Sequence, residues 1–193
     1  WANLRDHANL HVIQGDIYAL PFAPETFDFV YSLGVLQHTP DVKAAFAALP
    51  PMLIPGGQLC ADFYWNRLQT MMNPKYLLRP ITKRMDQNKL FAMLEQVLPA
   101  LLWWSRKLSQ IPVIGQLSKR IIPVVDYRGV YPLSESQLKE WALLDTFDML
   151  SPTYDNPQSK AGVTKFFQQG NLEQVEVFHW GHLVGRGRKP SIL

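Results

Sequence analysis

Short apolar runs, each bordered by glycine, recur through the first 64 residues, and a helical period separates the last two of them. Phe27-Asp28-Phe29-Val30-Tyr31-Ser32-Leu33 is apolar along most of its length, which suits a strand covered on both faces, as in a parallel sheet. Ahead of it, Asn9-Leu10-His11-Val12-Ile13-Gln14 predicts a shorter strand that ends at the turn Gly15-Asp16. Leu20-Pro21-Phe22-Ala23-Pro24 between them cannot hold a helix, because its prolines lie too close together. Asp41 stands where it can cap a helix whose Val42, Ala45, Phe46, Leu49 and Leu53 recur at helical spacing, with Pro50-Pro51 distorting the last turns. Pro55-Gly56-Gly57 then punctuates the chain before a third strand at Gln58-Leu59-Cys60-Ala61-Asp62-Phe63-Tyr64. Strand, strand, helix, strand is the order of an open α/β sheet.

The composition supports a folded chain and excludes several functions. Over 193 residues, 47% are hydrophobic and 12% aromatic, which excludes intrinsic disorder and gives the length of one domain with a large insertion. Cys60 is the one cysteine, so an internal disulfide framework is excluded and a reducing, cytoplasmic setting is expected. The five histidines are scattered and Cys60 has no neighbour at zinc spacing, so no metal is expected. Neither a Ser-His-Asp arrangement nor a phosphate loop is evident. The net charge of +3 is unevenly spread: Asn66 to Pro123 carries ten Lys and Arg against Asp86 and Glu95, a balance of +8 that leaves −5 for the rest.

Three pieces in order, Gly15-Asp16-Ile17 with Leu20-Pro21-Phe22, then Phe27 to His38, then Leu53-Ile54-Pro55-Gly56-Gly57, resemble class I S-adenosylmethionine-dependent methyltransferases of the type 11 kind. The resemblance implies a Rossmann-like sheet and S-adenosyl-L-methionine as cofactor. It implies that Gly15, Asp16 and Ile17 bind the cofactor, Asp16 meeting the adenine amine and Ile17 packing on the base. It places the backbone of Ser32, Leu33 and Gly34 against the methionine part of the cofactor. Read from the residues, Asp16 equally suits a turn that bonds its own backbone, and Gly34 a plain strand-to-loop turn. His38 matches a histidine common in that branch, where it would be a catalytic base or substrate contact; it equally suits ordering of the loop before Thr39-Pro40-Asp41.

The family binds its cofactor chiefly through a glycine-rich turn after its first strand and an acidic residue after its second, and neither is in this sequence. Two strand-helix units of about 30 residues each would supply them, so a partial sheet is expected, with the first two units absent and about 60 residues preceding Trp1. The expected organisation is therefore cofactor-binding core over 1–65, an inserted helical lid or cap over 66–130, and a return to the core over 131–193.

In the insertion, Leu90, Phe91, Leu94, Leu98, Leu101 and Leu102 recur at helical spacing ahead of Trp103-Trp104 and Arg106-Lys107, and Ile111 to Ile122 forms a second apolar set. Glu95, Gln96 and Pro99 break the best candidate for a membrane span. Basic residues beside Trp and Leu suit three arrangements: a helical subdomain packed on its apolar stripe, a cap over a hydrophobic substrate, or peripheral membrane contact through residues 66–123. Their scatter argues against nucleic acid. Ser134 and Gln137 are spaced as a capping box for a helix through Trp141 to Leu144, and the polar stretch from Asp145 to Gln158 then reads as a loop able to line a substrate pocket. Tyr127, Arg128, Tyr131, Asp148, Tyr154 and Gln158 are the substrate-side candidates. Lys160 to Gln169 predicts the last helix, followed by a closing antiparallel pair, Leu172–Phe178 and Gly181–Gly187.

The expected function is methyl transfer from S-adenosylmethionine to a small-molecule, lipid or glycan acceptor. Displacement of this kind needs in-line positioning and, where the nucleophile carries a proton, a base. The alternatives are a non-catalytic methyltransferase-like binding or scaffolding domain, and a nicotinamide dehydrogenase on a similar sheet, which would need a different upstream fingerprint.

Overall fold

The computed structural model describes residues 7–67, 75–111 and 122–191. In chain order its elements are β1 (Phe27–Ser32), α1 (Val42–Ala47), β2 (Leu53–Phe63), α2 (Lys75–Thr82), α3 (Gln87–Ser109), α4 (Glu135–Leu150), α5 (Lys160–Gln169), β3 (Glu173–Trp180) and β4 (His182–Arg188), with 3-10 turns at Leu36–His38 and Pro50–Met52. They fall into two compact units, one of residues 1–65 and 156–193 and one of residues 66–155. Residues 131–155, expected to return to the core, thus pack with the helical unit.

The sheet unit is mixed α/β. Its strands run in the order β1-β2-β4-β3, with β1 parallel to β2 and β4 antiparallel to both its neighbours. The expected closing hairpin is present and turns at Gly181, whose φ of +67° a glycine adopts without strain. Pro55-Gly56-Gly57 does not end a turn before β2 but bulges inside it. Phe27 faces Leu53 while Phe29 faces Gln58, so the strand starts at Leu53 rather than Gln58.

Leu59, Ala61 and Phe63 of β2 and Leu183 of β4 point to one face and bury against Val42, Ala45 and Phe46 of α1 and Val163 and Phe167 of α5. Asp41 caps α1 as its position predicts, accepting the Ala44 N–H at 3.0 Å. Helix α1 stops at Ala47, and the backbone tightens into the 3-10 turn carrying Pro50-Pro51, so Leu49 and Leu53 leave the helix expected to hold them. Helix α5 lies very close to β4: a Cβ on Gly185 would stand 2.5 Å from Phe167 Cε2 and 2.9 Å from Val163 Cγ1.

Two strand expectations fail for one reason, the lack of neighbours. Residues 9–14 are irregular and exposed, because no described strand offers them an edge. Strand β1 is not covered on both faces; Phe29 is 52% exposed and Tyr31 65%, since no described helix lies over that side.

In the helical unit, Asp86 caps α3 by accepting the Lys89 N–H, and Leu90, Leu94, Leu98 and Leu102 bury against Ala142 and Leu150 of α4. The capping box at Ser134 and Gln137 forms in both directions. Helix α4 continues past Leu144 to Leu150 because Leu138, Ala142, Thr146 and Leu150 extend a buried stripe at four-residue spacing, so Asp145 to Leu150 are helical and not loop. Val113, Ile114, Leu117 and Ile121 of the second apolar set lie outside the described residues, as do Lys119 and Arg120. No helix among the described residues is long and apolar enough to cross a membrane.

Candidate functional site

Because β1 and β2 are parallel and Ser32 pairs with Ala61, their carboxyl ends lie side by side, the edge at which open α/β sheets hold ligands. Past Ser32 the chain turns at Gly34 with φ +70°, and a Cβ built there would meet nothing within 4 Å, so the backbone faces open space. Asp62, next to the end of β2, fixes this turn: its Oδ1 accepts the Gly34 N–H at 2.6 Å, while Oδ2 lies 3.1 Å from His182 Nδ1 at the start of β4. The Tyr64 ring stands edge-on to His182 at 5.2 Å and to His38 at 5.4 Å. Gly34, Asp62, His182, Tyr64 and His38 therefore form one contiguous set.

Between Gly34 and His38, Gln37 is wholly buried, and neither its side-chain nitrogen nor its oxygen has a hydrogen-bond partner. Leaving such an amide unpaired costs about 1–3 kcal/mol, so the site has capacity for a polar ligand group. The backbone around it is fixed: Asn156 donates its N–H to Gln37 O and its side-chain nitrogen to Thr39 O, both at 2.9 Å. Gln158, a substrate-side candidate, donates its N–H to Tyr64 O at 2.7 Å and its side-chain nitrogen to Asn156 O at 2.9 Å.

The Gly15-Asp16-Ile17 loop is tied to the start of α1, since Tyr18 Oη accepts the Asp41 N–H at 2.9 Å. Asp16 Oδ1 accepts the Tyr18 N–H at 2.9 Å, the self-bonded turn that its residue type suggests, and its side chain is exposed. Ile17 packs partly on the core, and Gly15 sits against Pro21, where a Cβ would stand 3.0 Å from Cδ. Ser32 is buried and Leu33 exposed.

The other candidates lie in the helical unit. Tyr127 donates its hydroxyl to Asp145, and burial, then the Asp145 carboxylate, pushes the phenol up to about 12. Its ring packs on Tyr131 and Trp141 at 5.4 and 5.9 Å. Arg128 is held by Asp126, whose burial opposes ionisation but whose contacts with Arg128 and Arg106 outweigh it and lower its pKa. Tyr127 and Arg128 are thus committed to local structure. Asp148 and Tyr154 are exposed. Burial, then the Asp62 charge, pushes the Cys60 thiol up, with Arg186 opposing.

Asp62, Tyr64, His182, Asn156 and Gln37 escaped the sequence reading. Asp62 and Tyr64 end an apolar run, which in a parallel sheet marks the ligand edge and could have found them. His182 pairs with Asp62 across 120 positions, and no local signal reveals it. A cavity of about 790 Å³ lined by Lys43, Phe46, Pro50, Pro55, Phe166 and Lys189 lies at the opposite end of the strands, away from this set. Among the described residues no group of three or more His, Cys, Asp or Glu is placed to hold a metal ion.

Residues 1–61, which include Gly15 to Ile17, Ser32 to Gly34 and His38, match the family model of a methyltransferase domain. Among solved structures the chain is similar to human N-acetylserotonin methyltransferase in complex with SAM, at 12% identity over 93% of this chain and 33% of that one, TM-score 0.42. It is similar to a SAM-dependent methyltransferase from Methanosarcina mazei at 11% identity over 92% and 66%, TM-score 0.42. An O-methyltransferase family protein from Burkholderia thailandensis matches at 8% identity over 86% and 31%, TM-score 0.39. The chain thus spans between 31% and 66% of those proteins' lengths. At that level the structural likeness carries no weight of its own, and the assignment rests on the sequence match. Residues 1–61 of this chain are thus similar to methyltransferase-domain sequence.

Proposed function

We propose that this chain forms part of an enzyme that transfers a methyl group from S-adenosyl-L-methionine to a small-molecule, lipid or glycan acceptor. The observation that carries the reading is the carboxyl edge of β1 and β2, where the family-matched segment leaves open space at Gly34 and an unpartnered buried amide at Gln37. These residues fit the cofactor in kind. An ionised Asp16 has lone pairs for an adenine amine besides the Tyr18 N–H, and Ile17 offers a branched aliphatic surface beside it. Gly34, locked by Asp62, keeps side-chain atoms out of the space above the strand end.

When bound, the cofactor supplies an electrophilic methyl on its sulfonium. What this chain supplies is position and proton handling: Asp62 and Asn156 fix the loops on either side of His38, and His38 takes a proton at an imidazole nitrogen where the acceptor atom carries one. The acceptor-side candidates Tyr131, Asp148 and Tyr154 are exposed on the helical unit.

Calorimetric titration of the protein carrying this chain with S-adenosylmethionine tests the reading. Binding should weaken roughly tenfold in Asp16→Ala, the loss of one charge-assisted hydrogen bond. No heat at high cofactor concentration would remove the enzyme and leave the non-catalytic binding domain.

A further inference from the structure

Helix α2 is built inside out. Lys75, Arg79 and Thr82 are its buried residues, whereas Leu77 is 80% exposed, Ile81 67% and Leu78 37%. The buried side has clear partners. Lys75 Nζ lies 2.8 Å from Asp155 Oδ2, Arg79 donates to Met149 O at 3.1 Å and Pro152 O at 2.7 Å, and Thr82 donates to Leu150 O at 2.8 Å. The cations thus neutralise a buried carboxylate and close the carbonyl end of α4, where positive charge is favoured. Helix α2 is therefore fixed in this orientation, and its leucines and isoleucine are turned outward by the same contacts.

A solvent-facing helix with this composition would normally place Leu77 and Ile81 inward, since burying each is worth about 1.5–3 kcal/mol. The residues bordering the apolar stripe identify what covers it. Lys83 and Arg84 follow Ile81 after the buried Thr82 and are exposed, with Lys89 in the first turn of α3. Nearby Asp86 spends its carboxylate capping α3. The same unit exposes Trp103 at 51% and Trp104 at 54% beside Lys107, whose Nζ lies 5.9 Å from the Trp103 ring centre. Apolar and indole side chains beside Lys and Arg are complementary to an acyl boundary under anionic headgroups.

We infer that the outward face of α2, with Leu77, Leu78 and Ile81 entering the bilayer and Lys83 and Arg84 at the headgroups, docks the helical unit on an anionic membrane surface. The docking is peripheral, as no described helix can span. It is independent of cofactor binding.

Co-sedimentation with phosphatidylcholine vesicles, with and without phosphatidylserine, is the test. The protein should bind vesicles containing phosphatidylserine, and raising salt should release it. Leu77→Ser combined with Ile81→Ser should weaken binding at least tenfold, and Lys83→Glu combined with Arg84→Glu by at least tenfold, since each cation near such a surface contributes about fivefold. Melting of both variants should match the parent, because the changed side chains are exposed. Absence of binding to anionic vesicles, or binding that the serine pair leaves intact, overturns the inference. So does a parent protein that self-associates without lipid and is made monomeric by the serine pair, which would assign the face to a protein.

Discussion

Helices α5 and α2 obey opposite rules. Helix α5 buries Val163 and Phe167 and leaves Lys160 and Lys165 in water, while α2 buries Lys75 and Arg79 and leaves Leu77 and Ile81 in water. Both have an apolar and a charged side, so amphipathicity does not decide which side faces inward. The partner decides. Helix α5 meets β4 at Gly185 and Gly187, a flat apolar surface that accepts a phenyl ring, whereas α2 meets a buried carboxylate and the open carbonyls at the end of α4.

The largest effect that would break this comparison is at the first contact. Phe167→Ala should cost about 3–5 kcal/mol in denaturant unfolding, as for a fully buried ring. Gly185→Ala should cost about 1–3 kcal/mol by overpacking, because its methyl would meet the ring. In the double variant the second cost should shrink, since the ring is gone and of the close contacts only Val163 Cγ1 at 2.9 Å remains. Additive losses would show that α5 does not owe its place to the glycine surface.

Asp155→Ala probes the second contact. It removes the carboxylate that faces Lys75 and Arg79, whose side chains are 10% and 7% exposed, and should cost about 3 kcal/mol. Arg79 keeps two carbonyl acceptors, which holds the loss to the lower end. If unfolding shifts by less than about 1 kcal/mol, charge is not what turns α2 around.

That contrast also explains what the sequence made legible. Asp41 and Ser134 sit at helix starts and act within three residues, so the starts of α1 and α4 follow from local chemistry. Strand β2, the closing hairpin and the α3 stripe followed likewise. Residues 9–14 have strand composition yet form none, because a strand also needs an edge, which composition does not record. The extension of α4 to Leu150 was concealed by Asp145 and Asp148, polar residues that read as loop but lie beside a buried four-residue stripe. Gly34 was named by resemblance, but Asp62, which accepts its N–H, and His182, which faces Asp62, meet only after the chain returns as β4.

Asp62 sharpens the comparison within the sheet unit, where a carboxylate holds a loop rather than a helix. Asp62→Ala should lower stability by about 1–2 kcal/mol and speed hydrogen exchange at the Gly34 amide. Asp62→Asn keeps an oxygen for that amide and should keep its protection. Equal exchange rates in the two variants would mean that Gly34 is held by its own backbone.

The smallest expected effect concerns a polar contact of the helical unit, the Tyr127 hydroxyl on Asp145. The phenol is raised in the folded chain from 10.0 to about 12, by burial first and the carboxylate second. Below pH 10 the phenol is neutral in both folded and unfolded chains, and the contact contributes in full. As pH rises from 10 towards 12 the unfolded chain loses this proton while the folded chain retains it, so the unfolded state gains and the contribution falls away. Unfolding measured across that window should show the parent losing its advantage over Tyr127→Phe, with the two converging near pH 12. The effect is small because the ring is only half-buried and its packing on Tyr131 and Trp141 survives the change to phenylalanine. Equal stability of parent and variant throughout the window would show that the hydroxyl contributes nothing, and that ring packing accounts for Tyr127's part in the helical unit.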